Sequence, residues 1–178
     1  MIESGQAGGE SPLAIFVYGT LQREQLRGRL WPRPALSIEP AIAKGALYDL
    51  GPYPGLVDGD QLVLGEVWTF RREDLRETLL VLDRIEGFDP KNDTGEYVRR
   101  VIQVEILPDP HASPGAVSSS KETEPSKKTT VSVWTYLYND PLRLGLARRI
   151  EVWTEAHGHW VCRWPDPMSR VPRSFAEE

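Results

Sequence analysis

The sequence predicts an α+β fold whose sheet curls into a small barrel with flanking helices. Three observations lead there. Five apolar runs, Ala14–Tyr18, Ile38–Leu50, Gln61–Phe70, Tyr97–Leu107 and Val131–Tyr138, are rich in β-branched and aromatic residues and are bounded by turn chemistry. One amphipathic segment, Glu73–Ile85, stands among them. The remaining connections favour antiparallel neighbours, and a sheet of that kind hides its edges best by closing on itself.

The elements follow in order. Residues 1–12 are rich in Gly, Glu and Ser and read as a disordered lead-in. Ala14–Tyr18 is a short apolar run, and Gly19 directly after it marks a tight turn that brings bare backbone close to something. Arg23–Leu30 is expected to form a short helix stopped by Trp31-Pro32. Between the second and third strands, Gly51-Pro52-Tyr53-Pro54-Gly55 has loop composition. In the main helix Leu75, Leu79 and Leu82 recur at helical spacing, and Leu80 and Ile85 widen the stripe. Arg72, Glu73, Asp74, Arg76 and Glu77 are expected to stay wet, and Gly87 is a C-terminal stop. Pro108–Thr130 is crowded with Pro, Ser, Lys and Glu and reads as a mobile insert within one domain spanning 13–164. A second helix is expected over Pro141–Trp153, and the Pro-containing tail 165–178 reads as irregular.

Composition narrows the function classes. The net charge of -5 argues against a nucleic-acid or anionic-membrane partner, because both require a basic surface. Cys162 is alone, so no disulfide within the chain is possible, which fits a reducing, cytoplasmic setting. No run approaches the roughly 20 apolar residues that span a bilayer. A monomer or weak homodimer is expected.

Glu86 is the strongest candidate for chemistry. It stands at the end of the main helix, where the negative end of the dipole and burial beside Ile85 and Phe88 both disfavour its charge. Both raise its proton affinity toward that of a working general base. Taken by position alone, a solvated Glu at a helix end is the plainer reading. Tyr97 and Arg99 lie two apart on a strand and share a face. Tyr97 is placed to donate to Glu86 or to a substrate, whereas Arg99 beside Arg100 reads as a solvated or ion-paired residue. Tyr136, with Trp134 and Tyr138 on one face of the last strand, is a candidate pocket wall. Glu96, a second carboxylate nearby, precedes a strand and is expected to be exposed. His157-Gly158-His159 lacks a third or fourth ligand at metal spacing and reads as a turn.

The ordered series Tyr18-Gly19-Thr20-Leu21, Tyr53-Pro54-Gly55, Gly65-Glu66-Val67, Leu82-Asp83-x-x-Glu86-Gly87 and Tyr97-x-Arg99, closed by an aromatic strand, resembles the γ-glutamylcyclotransferase-like superfamily in its AIG2-like and γ-glutamylamine branch. Thr20-Leu21, where the glutathione-degrading members carry Ser-Asn, directs the resemblance to that branch. It covers Ile15 to Tyr138. It implies a small mixed barrel with helices around it and a pocket at one side that binds a small-molecule γ-glutamyl substrate. The reaction implied is attack of the substrate's α-amine on its own γ-carbonyl, releasing 5-oxoproline and an amine or amino acid. The family's catalytic Glu falls on Glu86 and its substrate-cradling loop on Tyr18, Gly19, Thr20 and Leu21. Tyr53, Pro54, Gly55, Tyr97 and Tyr136 complete the expected binding set. No metal and no organic cofactor are required. The N–H groups of the Gly19–Leu21 turn would hold either the α-carboxylate or the developing oxyanion. Two other readings stand beside this one. One is a non-catalytic binding or interaction module on the same scaffold. The other is the same mechanism applied to a biosynthetic intermediate that carries a γ-glutamyl protecting group.

Overall fold

Apolar side chains on both faces of the first strand dictate where everything else sits. In the computed structural model, which describes residues 11–108, 129–151 and 153–165, that strand is β1 (Ala14–Val17). Phe16 belongs to one buried cluster, with Leu47, Leu56, Val63, Val67 and Val133, which fills the barrel. Ile15 and Val17 belong to a second cluster, with Trp68, Phe70, Leu75 and Leu82, between the barrel wall and the main helix. A strand covered on both sides reads as an unbroken apolar run, which is why Ala14–Val17 shows no alternation.

The barrel is built from β1, β2 (Ser37–Asp49), β3 (Pro54–Thr69), and, beyond the helix α1 (Arg72–Glu86) and the two-residue strands β4 (Phe88–Asp89) and β5 (Thr94–Gly95), from β6 (Tyr97–Ile106) and β7 (Thr129–Tyr138). Its order is β3-β1-β7-β6-β2, and pairing of β2 with β3 closes the ring. All neighbours are antiparallel except β1 and β7, which meet in parallel at Ile15 and Trp134, so the barrel is mixed. After β7 come a single turn of helix, α2 (Pro141–Leu144), then β8 (Arg148–Arg149), which extends the sheet beside β2, and a separate hairpin of β9 (Thr154–Ala156) and β10 (His159–Val161).

The α+β barrel predicted from the sequence is the fold observed, with several local corrections. Arg23–Leu30 is a series of tight turns, not a helix. Gln25, Gly28 and Leu30 each donate to a carbonyl three residues back. Leu26 and Leu30 stay exposed, so no apolar stripe exists to hold a helix against the body. The expected helix over Pro141–Trp153 stops at Leu144 for the same reason, Leu142 and Leu146 being 84% and 91% exposed. Beyond it, an Arg148–Asp49 ion pair of 2.7 Å accompanies the β8–β2 pairing. Pro54 and Gly55 belong to β3, opposite Asp49 and Tyr48, so the loop shrinks to Leu50–Tyr53. Proline is tolerated at the first position of a strand, where no ladder N–H is missed. In α1, Leu80 faces water while Thr78 is buried, its hydroxyl bonded to the Asp74 carbonyl at 2.8 Å. Asp74 is half-buried, 3.7 Å from Arg33. Thr129 and Thr130, expected in the insert, already belong to β7. His157 and Gly158 form the β9–β10 turn with φ of 52° and 77°. The expectations for 1–10, for 109–128 and for the tail beyond 165 lie outside the described residues.

Among the described residues no helix is long and apolar enough to cross a membrane, and no group of three or more His, Cys, Asp or Glu side chains comes together as a metal site.

Candidate active site

Glycine makes the first wall of the site. The chain turns sharply after β1, and the Pro54 ring lies where a side chain at position 19 would go: a Cβ on Gly19 would stand 2.7 Å from Pro54 Cγ. The turn that follows uses up its own carbonyls. Gly19 O accepts from the Gln22 amide at 3.1 Å, Thr20 O from the Arg27 amide at 2.8 Å, and Leu21 O from Trp31 Nε1 at 3.0 Å. Among the described residues, no hydrogen bond uses the N–H groups of Gly19, Thr20 or Leu21. The turn's three carbonyls are thus each engaged while, among the described residues, its three N–H groups are not.

The opposite wall is the end of α1. Gly87 caps the helix in the left-handed conformation, φ 66° and ψ 31°, and donates its N–H to the Asp83 carbonyl. Glu86 is the last helical residue, and its carboxyl has no hydrogen-bond partner among the described residues. Burial pushes its proton affinity up to about 7; Arg27 opposes that rise and Glu96 adds to it.

Between these walls lies a cavity of about 160 Å³. Of the residues expected at the site, Tyr18, Gly19, Thr20, Leu21, Tyr53, Pro54, Glu86, Tyr97 and Tyr136 line it. Gly55 does not. It stands behind the wall, where a Cβ would press on Tyr138 at 3.0 Å.

The tyrosines act as struts. Tyr18 donates to the Tyr136 carbonyl at 2.7 Å and accepts from the Leu56 amide at 3.3 Å. Tyr97 donates to the Pro54 carbonyl at 2.6 Å rather than to Glu86. Tyr136 donates to Asp83 Oδ1 at 2.7 Å, and Tyr53 to Glu96 Oε1 at 2.9 Å. Burial raises the pKa of Tyr18, Tyr97 and Tyr136 far above the ordinary phenol range, so all three stay protonated donors. Glu96 is exposed as expected, yet it borders the cavity and also accepts from Arg143 at 3.0 Å.

Sequence reasoning gave no role to two residues that matter here. Asp83 is buried and takes Arg99 Nη1 on both carboxylate oxygens, at 2.9 and 2.8 Å. Arg99 is thus ion-paired, packed over the Phe88 and Trp134 rings at 5.4 and 5.3 Å. The signal was available: Asp83 precedes Glu86 by three residues, on the same helix face. Arg27 lines the cavity from the turns after Leu21, a stretch whose misreading as a helix hid it.

The family model described as gamma-glutamyl cyclotransferase, AIG2-like, matches residues 15–161. The chain belongs to that family. A gamma-glutamylcyclotransferase family protein, ytfP, from Citrobacter rodentium is 36% identical over 91 residues, 51% of this chain and 72% of the relative. A gamma-L-glutamyl-butirosin B gamma-glutamyl cyclotransferase from Niallia circulans is 34% identical over 88 residues, 49% of this chain and 54% of the relative. Among solved structures, an AIG2-like protein from Mus musculus superposes with a TM-score of 0.52 at 22% identity, covering 89% of this chain and 99% of that one, a likeness of fold. Family and relatives together indicate a γ-glutamylcyclotransferase-type activity on small γ-glutamyl compounds.

Proposed function

We propose that the protein converts a γ-glutamyl amine or γ-glutamyl amino acid into 5-oxoproline and the free amine, with Glu86 as general acid and base. The observation that supports this most is the Glu86 carboxyl itself: it borders a cavity, has no hydrogen-bond partner among the described residues, and its proton affinity is pushed up to about 7. A carboxylate of that strength at neutral pH is half-ready to take a proton and half-ready to return one.

The substrate's α-amine is an ammonium near neutral pH and is not nucleophilic. Glu86 removes a proton, and the nitrogen lone pair forms a bond to the γ-carbon. The carbonyl electrons move to oxygen, giving a tetrahedral oxyanion. When they return, the bond from the γ-carbon to the departing nitrogen breaks. Two protons leave the α-nitrogen in all and two reach the leaving nitrogen, carried by Glu86 one at a time. Acid–base assistance of this kind contributes about 10²- to 10⁴-fold. Folding the amine back on the carbonyl in a fitted cavity is worth about 7–11 kcal/mol in favourable systems. The N–H groups of the Gly19–Leu21 turn are the donors available to the oxyanion.

The test is release of 5-oxoproline from γ-glutamyl amines, γ-glutamyl dipeptides and, because one relative is named for it, γ-L-glutamyl-butirosin B. Glu86→Gln is expected to cut release by about 10²- to 10⁴-fold while ligand binding and folding persist. A folded wild-type protein that yields no 5-oxoproline from any of them would overturn the proposal and leave the binding-module reading.

A further inference from the structure

The α-carbon of a γ-glutamyl group carries both the amine that must lose its proton and a carboxylate. The amine nitrogen and the nearer carboxylate oxygen are therefore only about 3 Å apart. A pose that brings the amine to Glu86 brings an anion with it, and an anion beside a carboxylate needs a cation. Most arginines near the site are already paired: Arg23 with Glu66, Arg99 with Asp83, Arg100 with Asp93 and Arg143 with Glu96. Two cations line the cavity without an ion pair among the described residues, Arg27 and Arg84. Arg84 is exposed, on the last turn of α1. Arg27 is half-buried, and its amide is tied to the Thr20 carbonyl at 2.8 Å, which couples it to the donor-presenting turn.

We propose that Arg27 receives the α-carboxylate of the γ-glutamyl group, which leaves the N–H groups of Gly19, Thr20 and Leu21 to the γ-carbonyl oxygen. A planar guanidinium donates two parallel N–H groups to a carboxylate in a bidentate fork, and its charge is present before the reaction starts. The amides suit a charge that appears only in the transition state. Arg27 also acts on Glu86 across the cavity, holding its proton affinity down against burial. Once a carboxylate neutralises Arg27, that restraint lifts and Glu86 becomes a stronger base as the substrate arrives.

This assignment rests on the lactam-forming reading, but its test does not require turnover. Full-length wild type, Arg27→Met, Arg27→Lys and Arg84→Met are titrated by calorimetry with 5-oxoproline and with 2-pyrrolidinone, the same lactam without the carboxylate. Wild type is expected to prefer 5-oxoproline by about 10- to 100-fold. Arg27→Met loses most of that preference, Arg27→Lys keeps only part of it, and Arg84→Met retains it. Parallel assays compare a γ-glutamyl amine with the matching 4-aminobutanoyl amine, which cyclises to 2-pyrrolidinone. A folded Arg27→Met that still prefers the carboxylate, or a loss at Arg84→Met instead, overturns the assignment; so does a wild type with no preference. Should Arg27→Met not fold, an undiminished preference in Arg27→Lys overturns it. If wild type makes 5-oxoproline but Arg27→Met keeps the preference, only Arg27 falls. If binding follows Arg27 but no substrate cyclises, only the reaction falls.

Discussion

Asp83 and Glu86 stand one helical turn apart on α1, each next to the barrel, and their surroundings differ completely. Asp83 is buried and receives three hydrogen bonds, two from Arg99 and one from Tyr136. Glu86 receives none among the described residues. The same functional group is a bolt in one place and, in the function proposed above, the base in the other, and the number of donors around it makes the difference. The bolt serves the base: by pinning the last turn of α1 to β6 and β7, the Asp83–Arg99–Tyr136 contacts fix where Glu86 stands against the Tyr18–Leu21 turn.

Neutralising each carboxylate in turn tests the contrast most severely. Glu86→Gln keeps the shape of the side chain and removes the base, so 5-oxoproline release is expected to fall by about 10²- to 10⁴-fold in initial-rate assays. Asp83→Ala does the reverse. It leaves Glu86 chemically intact but strands the Arg99 guanidinium under the Phe88 and Trp134 rings. Breaking one partner of a buried pair costs about 3–5 kcal/mol, readable as a lower midpoint in urea denaturation. Equal loss of stability in both variants would erase the distinction.

The same contrast has a pH signature. Glu86 has an ordinary value of 4.5 and a folded value of about 7, so the folded chain holds its proton more tightly than the unfolded chain. Folding takes up a proton between those values, and the stability that the protonated carboxyl allows is lost as pH rises through about 7. The penalty at higher pH is on the order of 3 kcal/mol. Glu86→Gln should therefore be more stable than wild type at pH 8 and no more stable at pH 4, measured by denaturation at both. The rate constant kcat/KM of the wild type should rise with pH through the same region.

Much of this was legible in the chain. The strands announce themselves through apolar runs, the stripe of Leu75 and Leu82 marks the buried face of α1, and Gly87 marks its end. Tyr18, Gly19 and Glu86, singled out through the family resemblance, line one cavity. The errors cluster where local pattern competes with distant partners. Arg23–Leu30 has helix-forming residues, but its Arg23 amide is captured by Glu66 Oε2 at 2.9 Å from β3, and its leucines find nothing to cover them. Arg148–Arg149 reads as part of a helix until Asp49, 99 residues earlier, supplies a counter-charge. The hydroxyl acceptors of Tyr97 and Tyr136 come from residues 43 and 53 positions away, and spacing along the chain carries no trace of them.

Tyr136→Phe isolates the smallest part of the contrast. It deletes one hydroxyl that donates to Asp83 Oδ1 and leaves both Arg99 contacts and the ring packing in place. A hydrogen bond to a charged group is worth about 1.5–3 kcal/mol, and the remaining Arg99 contacts place this loss at the lower end. The Tyr136 carbonyl still accepts from Tyr18, so the barrel wall is held. The effect on catalysis is then one of position. Turnover should fall by less than about 10-fold, with KM nearly unchanged and the midpoint of the pH–rate profile kept, because Glu86 retains its burial. A shift of that midpoint by Tyr136→Phe would mean that the hydroxyl tunes the acidity of Glu86 directly, and Asp83 could no longer be treated as a purely mechanical anchor.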